Sequence, residues 1–306
     1  MSCQLPINRE IAAGGPPNLS PSVFLHPTAL AFVALYGAGF VGARLGLPHA
    51  PPFAFLALRF AIAAGLLAIL AKLFSAPWPR RAREYLDIAT AGFLTVGVFS
   101  AGVFYSIAQG LAPAASALII ALQPILIAIA APALLGERIG QRRWLGLLLG
   151  MSGVFLVLRQ GIAGQAPTLL PVLLSVIGLL GLSAGNLYQK ARCATMHPFS
   201  GGAIQCAVCA AACLIGTTLY EDAPIAWTGE FIVALLWMAV VVSVGAVSLL
   251  VVLIRDGEVS RVAGLFYLVP VSAAMCAWLL FGQQIGPAQW LGIGIAAVGV
   301  VLANRR

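Results

Sequence analysis

Charge is scarce in this sequence. Only 8% of its 306 residues are Asp, Glu, Lys or Arg, against 61% hydrophobic residues, and the mean hydropathy is +1.01. Soluble domains carry about 25% charged residues, so the chain lacks the polar surface that a water-soluble globule needs. Its apolar stretches do not alternate with polar residues, which argues against a transmembrane β-barrel. No Gly-x4-Gly-Lys-Ser/Thr loop is present to hold ATP phosphates. Histidine is limited to His26, His49 and His197, all outside the hydrophobic runs. Gly181-Leu182-Ser183-Ala184-Gly185 spells a nucleophile elbow, but it lies within a helical run and has no His/acid pair. The chain therefore does not read as an enzyme. Cys206, Cys209 and Cys213 share a helix face with no His or carboxylate in that segment. They read as small packing residues rather than metal ligands, and no cofactor or metal is expected.

What the sequence does contain is a series of long apolar runs. A membrane-spanning helix needs about 20 such residues. Hydropathy and breaks predict helices over 28–47, 53–74, 86–108, 113–135, 142–158, 168–190, 199–219, 230–253, 259–281 and 288–303. Pro48, Pro51 and Pro52 end the first. Pro77 and Pro79 follow the second, and Gly161, Gly164 and Pro167 separate the fifth and sixth. Residues 1–27, rich in Pro, Gly and polar groups, read as a disordered tail and not as a signal peptide. The net charge of +8 does not point to nucleic acid, because its placement follows a membrane. Arg80, Arg81, Arg83, Arg138, Arg142, Arg143, Lys190, Arg192, Arg255, Arg261, Arg305 and Arg306 all fall on one side of a ten-helix layout. Arg159 and the acids Glu221, Asp222 and Glu230 fall on the other. The positive-inside rule puts both termini in the cytoplasm of a bacterial inner membrane.

The chain also repeats itself. Shifted by 146 residues, Pro124 meets Pro270, Gly136 meets Gly282, and Trp144-Leu145-Gly146 meets Trp290-Leu291-Gly292. Gly153 meets Gly299. Shared apolar composition aligns Leu and Ala by chance, but not Pro, Gly and Trp. Five helices per copy is an odd number, so the second copy crosses in the opposite sense. The expected fold is an all-α membrane protein of ten transmembrane helices, built as two inverted five-helix repeats over 28–158 and 159–306. Such repeats are common in secondary transporters, which hold substrate near the midplane.

These segments resemble the EamA family of the drug/metabolite transporter superfamily. Tyr36-Gly37-Ala38-Gly39-Phe40-Val41 looks like its aromatic-Gly opening, and Leu58-Arg59-Phe60 like its second-helix signature. Pro124, Gly136-Glu137-Arg138, Trp144-Leu145-Gly146 and Gly153 look like its closing segment. The second half matches the closing segment, with Gln283 where Glu is usual; its opening, Ser183 to Lys190, matches less well. The resemblance implies export or exchange of small metabolites by alternating access. The layout is similar to the ten-helix YddG-type exporters of aromatic and other neutral amino acids; exporters of other metabolites or cationic drugs share it.

Polar groups inside the bilayer are costly and so mark candidate sites. Arg59 lies about 9 Å into its helix, where it either pairs with a substrate carboxylate or anchors loop carbonyls. Arg44 lies near a helix end, where snorkelling competes. Gln109, Gln123, Asn186 and Gln189 suit a polar neutral substrate, or else bind helix to helix. Tyr36, Phe40, Tyr105, Tyr188, Trp237 and Tyr267 either line an aromatic cavity or simply pack. Pro124 and Pro270 predict kinks that assist closure or shape packing. Substrate is expected at the seam near Gln123-Pro124 and Val269-Pro270. Gly146-x3-Gly150 and Gly292-x3-Ala296 predict close helix contacts. No Asp or Glu falls in mid-helix, and Asp87 stands at a helix start. Ion coupling usually uses intramembrane acids, so a facilitator fits, with coupling through backbone carbonyls or a substrate proton as the alternative. A small-molecule substrate and the lipid bilayer are the expected partners, with the oligomeric state left open.

Overall fold

The computed structural model describes residues 27–111, 113–136, 139–162, 168–256, 259–281 and 286–304. The tail expected over 1–27 lies outside this range except for Pro27. The Gly282-Gln283-Gln284 turn and residues Glu137, Arg138, Gly164, Pro167, Arg305 and Arg306 also lie outside it. So do the side chains of Phe40, Arg44, Arg255 and Arg261.

Among the described residues the chain forms ten helical rods and no strand. They are α1 (Pro27–Gly46), α2 (Pro52–Leu73), α3 (Ala82–Ala108), α4 (Pro113–Ile120 and Gln123–Leu135), α5 (Gln141–Ile162), α6 (Leu169–Arg192), α7 (Pro198–Tyr220), α8 (Gly229–Leu236, Trp237–Ala246 and Val247–Asp256), α9 (Val259–Leu265 and Leu268–Phe281) and α10 (Pro287–Asn304). Six of them, α2, α3, α4, α6, α7 and α8, contain spans long and apolar enough to cross a membrane. The boundaries have local causes. Pro52 and Pro198 open α2 and α7 at a position where a missing N–H costs nothing. Gly136, at φ 68°, closes α4 in the left-handed conformation that suits glycine.

The packing carries the sequence repeat into three dimensions. The two halves meet through α2 against α7 at one flank and α5 against α10 at the other. Between them α1 packs on α8 and α9, as α6 packs on α3 and α4. The α5/α10 seam is tight. A methyl group on Gly153 would strike the backbone of Ala296 and Gly292, and one on Gly299 the backbone of Gly150 and Gly146. The two small-residue motifs therefore do make the expected close contact.

Two features were not anticipated. First, α3 starts at Ala82 rather than residue 86, which moves Asp87 about 7 Å into the helix. There its Oδ1 accepts a 2.6 Å bond from the Tyr188 hydroxyl. Second, α3 and α8 widen into π-helical turns at Phe93–Val98 and Trp237–Ala246. The 146-residue shift superposes these two segments, so the wide turn is a property of the repeat. Wide turns of this kind frequently mark functional positions. Breaks in α4 at 121–122 and in α9 at 266–267 come just ahead of Pro124 and Pro270.

A central seam between the two halves

Where α1, α3, α4 and α9 converge, a cavity of about 30 Å³ remains. It is lined by Tyr36, Phe99, Ser116, Ile120, Phe266 and Pro270, among others. Tyr36 is the hub of its aromatic wall, with ring centroids 5.4 Å from Phe266 and 6.4 Å from Phe99. Such a volume holds a water or two, so the chain is closed around this point. Ser116 is tied outward through a buried hydroxyl chain. Its Oγ lies 2.8 Å from Ser175 Oγ, which donates to Ser106 Oγ at 2.7 Å. The chain links α4, α6 and α3 without leaving a hydroxyl unpaired.

Near Tyr36 lies the most deeply buried arginine among the described residues. Arg59, only 5% exposed, donates from Nε to Ser243 Oγ at 2.8 Å. Ser243 belongs to the π-helical turn of α8, so the bond joins the first half of the chain to the second. The Arg59 guanidinium also sits 5.0 Å from the Phe60 ring centroid. Tyr36, Cys206, Cys209 and Cys213 are the ionisable groups near enough to feel its charge. Among the described residues no carboxylate lies within ion-pair distance of it. A buried guanidinium without a counter-ion is poised to take one.

The equivalent of Arg59 in the second copy is Gln205 on α7. It is buried against Gly92, at the start of the wide turn in α3, and its Nε2 donates to Gln189 Oε1 at 2.9 Å. Gln205 Oε1, Asn186 Oδ1 and Thr95 Oγ1 are buried with no hydrogen-bond partner among the described residues. The repeat thus sets a charged group against α8 and an amide cluster against α3. The cysteines of α7 pack at the same interface, and Cys209 Sγ donates to Gly92 O at 3.4 Å.

One end of the bundle is held by Glu221, in the loop after α7. Its Oε1 and Oε2 accept from the backbone N–H groups of Phe53 and Ala54 at 2.7 and 2.8 Å, and Oε1 also accepts from the Tyr105 hydroxyl. A carboxylate here satisfies two orphan donors of α2 and meets the positive end of its dipole. Nearby, Ala226 N donates to His49 O at 2.8 Å, and His49 Nε2 lies 3.5 Å from Glu230 Oε2. At the opposite, basic end, Ser200 Oγ donates to Pro77 O at 2.6 Å, and Lys190 Nζ to Ile254 O at 2.9 Å.

The sequence profile of the EamA-like transporter family matches the chain twice, over residues 25–159 and 169–305. The chain belongs to that family. Transporter YvbV of Bacillus subtilis is 25% identical over 294 residues, covering 90% of each chain. Inner membrane transporter YedA of Escherichia coli is 23% identical over 275 residues, covering 90% of this chain and 88% of its own. A third relative, named "probable amino-acid metabolite efflux pump" and also from Escherichia coli, is 25% identical over 284 residues, covering 90% and 92%. A solved crystal structure shares the fold with a TM-score of 0.76 at 18% identity, covering 90% of this chain and 96% of that one. The chain is a membrane transporter and not an enzyme. The Ser183 hydroxyl is spent within α6, donating to Leu179 O at 2.8 Å.

Within this EamA-like chain the candidate residues scatter. Tyr36 and Pro270 line the cavity, and Arg59 lies near Tyr36 without lining it. Gln123 is fully buried beside Pro124 with neither amide atom paired among the described residues, but it does not line the cavity. Asn186 and Gln189 join the amide cluster on the α3 side. Tyr105 belongs to the Glu221 clamp, and Trp237 Nε1 donates to Ala38 O at 3.1 Å where α1 meets α8. Tyr267 packs on Gly150 in the α4/α5/α9/α10 core, its hydroxyl without a partner among the described residues. Gln109 is exposed just past the end of α3, where the chain has left the helix and cannot reach the seam. Sequence reading missed Phe99, Ser116, Ser243 and Phe266, which look like ordinary membrane-helix residues. It noted Glu221 only as an acid in a loop.

Proposed function

We infer that this EamA-like transporter moves small neutral amino acids, aromatic or otherwise, across the bacterial inner membrane by alternating access. In this reading all ten rods cross the bilayer, both termini are cytoplasmic, and the halves 28–158 and 159–306 are oppositely oriented repeats. Arg59 carries the reading. It is a buried guanidinium at the junction of the halves, bonded to Ser243 and free of carboxylate partners among the described residues. Guanidinium binds carboxylate in a bidentate fork. The aromatic wall of Tyr36, Phe99 and Phe266 would accept an apolar or planar side chain. The amide cluster of Asn186, Gln189 and Gln205 offers neutral acceptors to an ammonium group. A fixed positive charge at the seam disfavours cationic drugs. The closed cavity requires the halves to part before substrate enters, and Pro124 and Pro270, each beside a helix break, are placed where such a motion would bend α4 and α9.

The test is flux from proteoliposomes loaded with a panel of neutral amino acids, their decarboxylated amines and their methyl esters. Movement of the amino acids but not of the amines or esters supports a carboxylate at Arg59. Equal movement of all three classes, or of none, overturns the substrate assignment. Persistence of flux after an ionophore abolishes the proton gradient supports facilitation, as the lack of acids near mid-rod suggests.

A further inference from the structure

At the basic end a second cavity, of about 600 Å³, opens between the α2–α3 loop and the junction of α6 with α7. Arg80, Arg81 and Arg192 line it, with Trp78, His197 and Ser200. None of the three arginines has a salt bridge to a described residue. Glu84 also lines the cavity, Asp87 lies one turn further along α3, and each already accepts a hydrogen bond. Glu84 Oε2 accepts from the backbone N–H of Arg80 at 3.0 Å, and Asp87 Oδ1 accepts from Tyr188.

The repeat supplies an independent argument. The 146-residue shift places Pro52-Phe53-Ala54 on Pro198-Phe199-Ser200, so the start of α7 in this cavity matches the start of α2. At α2 the carboxylate of Glu221 fills the anion position, bonded to the N–H groups of Phe53 and Ala54. The residue equivalent to Glu221 is Ser75, which brings no charge. At α7 the Phe199 N–H is capped by His197 Nδ1 at 3.3 Å. Where one half sets its own carboxylate against the start of a helix, the other has the His197 cap beside a cavity lined by three arginines and Glu84.

We propose that this cavity binds a phosphate-bearing anion, with Arg80, Arg81 and Arg192 as its ligands. Two sources share that chemistry. One is the headgroup of an anionic phospholipid, drawn from the leaflet in which Trp78 would sit as an interface anchor; the other is a soluble phosphate ester. The volume exceeds one phosphate and admits a phosphoglycerol headgroup. The site stands apart from the seam and does not depend on the amino-acid reading.

The experiment uses the full chain in neutral detergent, titrated separately with dihexanoyl phosphatidylglycerol, inorganic phosphate and dihexanoyl phosphatidylcholine. Binding is followed by native mass spectrometry and by the rise in Tm. Phosphatidylglycerol or phosphate should bind and phosphatidylcholine should not. Each arginine near a phosphate is worth about fivefold in affinity. The R80Q/R81Q/R192Q variant should therefore bind about 100-fold more weakly. A control variant with Lys72→Gln and Arg83→Gln, both exposed and outside the cavity, should keep nearly all of the affinity. If the triple variant does not fold, Arg192→Gln alone should lose about fivefold. Response to phosphatidylglycerol alone identifies a lipid site, and response to phosphate as well identifies a soluble anion. Response to neither, or an equal loss in variant and control, overturns the proposal.

Discussion

Replacing Glu221 by alanine should loosen the acidic end of the bundle while leaving the basic end closed. The carboxylate makes two charge-assisted bonds to the N–H groups of Phe53 and Ala54 and receives the Tyr105 hydroxyl. A hydrogen bond to a charged group contributes about 1.5–3 kcal/mol, so the two amide bonds together give about 3–6 kcal/mol. Glu221 is half-buried, and solvent screening reduces that to about 2–3 kcal/mol. At about 1.4 kcal/mol per tenfold, the open-to-closed ratio at that end should rise roughly 30- to 150-fold. Cys213 is a suitable reporter. It is buried on α7, two turns before the loop that carries Glu221, and lines a groove together with Phe53, Tyr105 and Tyr220. In a chain whose other cysteines are alanine, Glu221→Ala should speed maleimide labelling of Cys213 by at least tenfold. Glu221→Gln keeps an acceptor and should fall between. If Glu221→Ala labels at the parent rate with an unchanged Tm, the clamp does not hold this end shut and the reasoning fails.

Other perturbations test the remaining contacts. Arg59→Ala should raise the KM for amino-acid flux by 30-fold or more, since losing one partner of a buried charged pair costs about 2–5 kcal/mol; Arg59→Lys, which lacks the planar fork, should recover only part of this. Gly153→Leu should lower Tm or abolish folding, because its side chain would be driven into the backbone of Ala296 and Gly292, and overpacking costs about 1–3 kcal/mol or more. Gln205→Leu leaves Gln189 Oε1 without its donor; a destabilisation of about 1–3 kcal/mol in thermal unfolding is expected. Cys193, buried at the basic end just past α6, should resist maleimide at neutral pH in the folded chain. Burial, and then the nearby Asp87 carboxylate, push its thiol up to about 12, and only the thiolate reacts.

Much of the architecture is written locally. Apolar runs mark the rods, prolines and glycines mark where α2, α4 and α7 begin or end, and the clustering of Arg and Lys in alternate loops separates a basic end from an acidic one. These signals survive folding because each depends on a residue and its immediate neighbours: a proline lacks an N–H wherever it stands. The repeat is also legible, since duplicated Pro, Gly and Trp keep their spacing. Arg59 was conspicuous for the same reason, as a charge in an apolar run. What folding decided is which polar group answers which. Ser243 lies 184 residues from Arg59 and Glu221 lies 168 from Phe53, and no periodicity joins them. The wide turns of α3 and α8 carry no composition signal, and Gln109 and Gln123 look alike until one is placed in an exposed loop and the other in the buried core. Desolvation makes the difference. A buried polar group is costly until it finds a partner, and the partner is set by which helices pack side by side, a property of the assembled bundle and not of any segment.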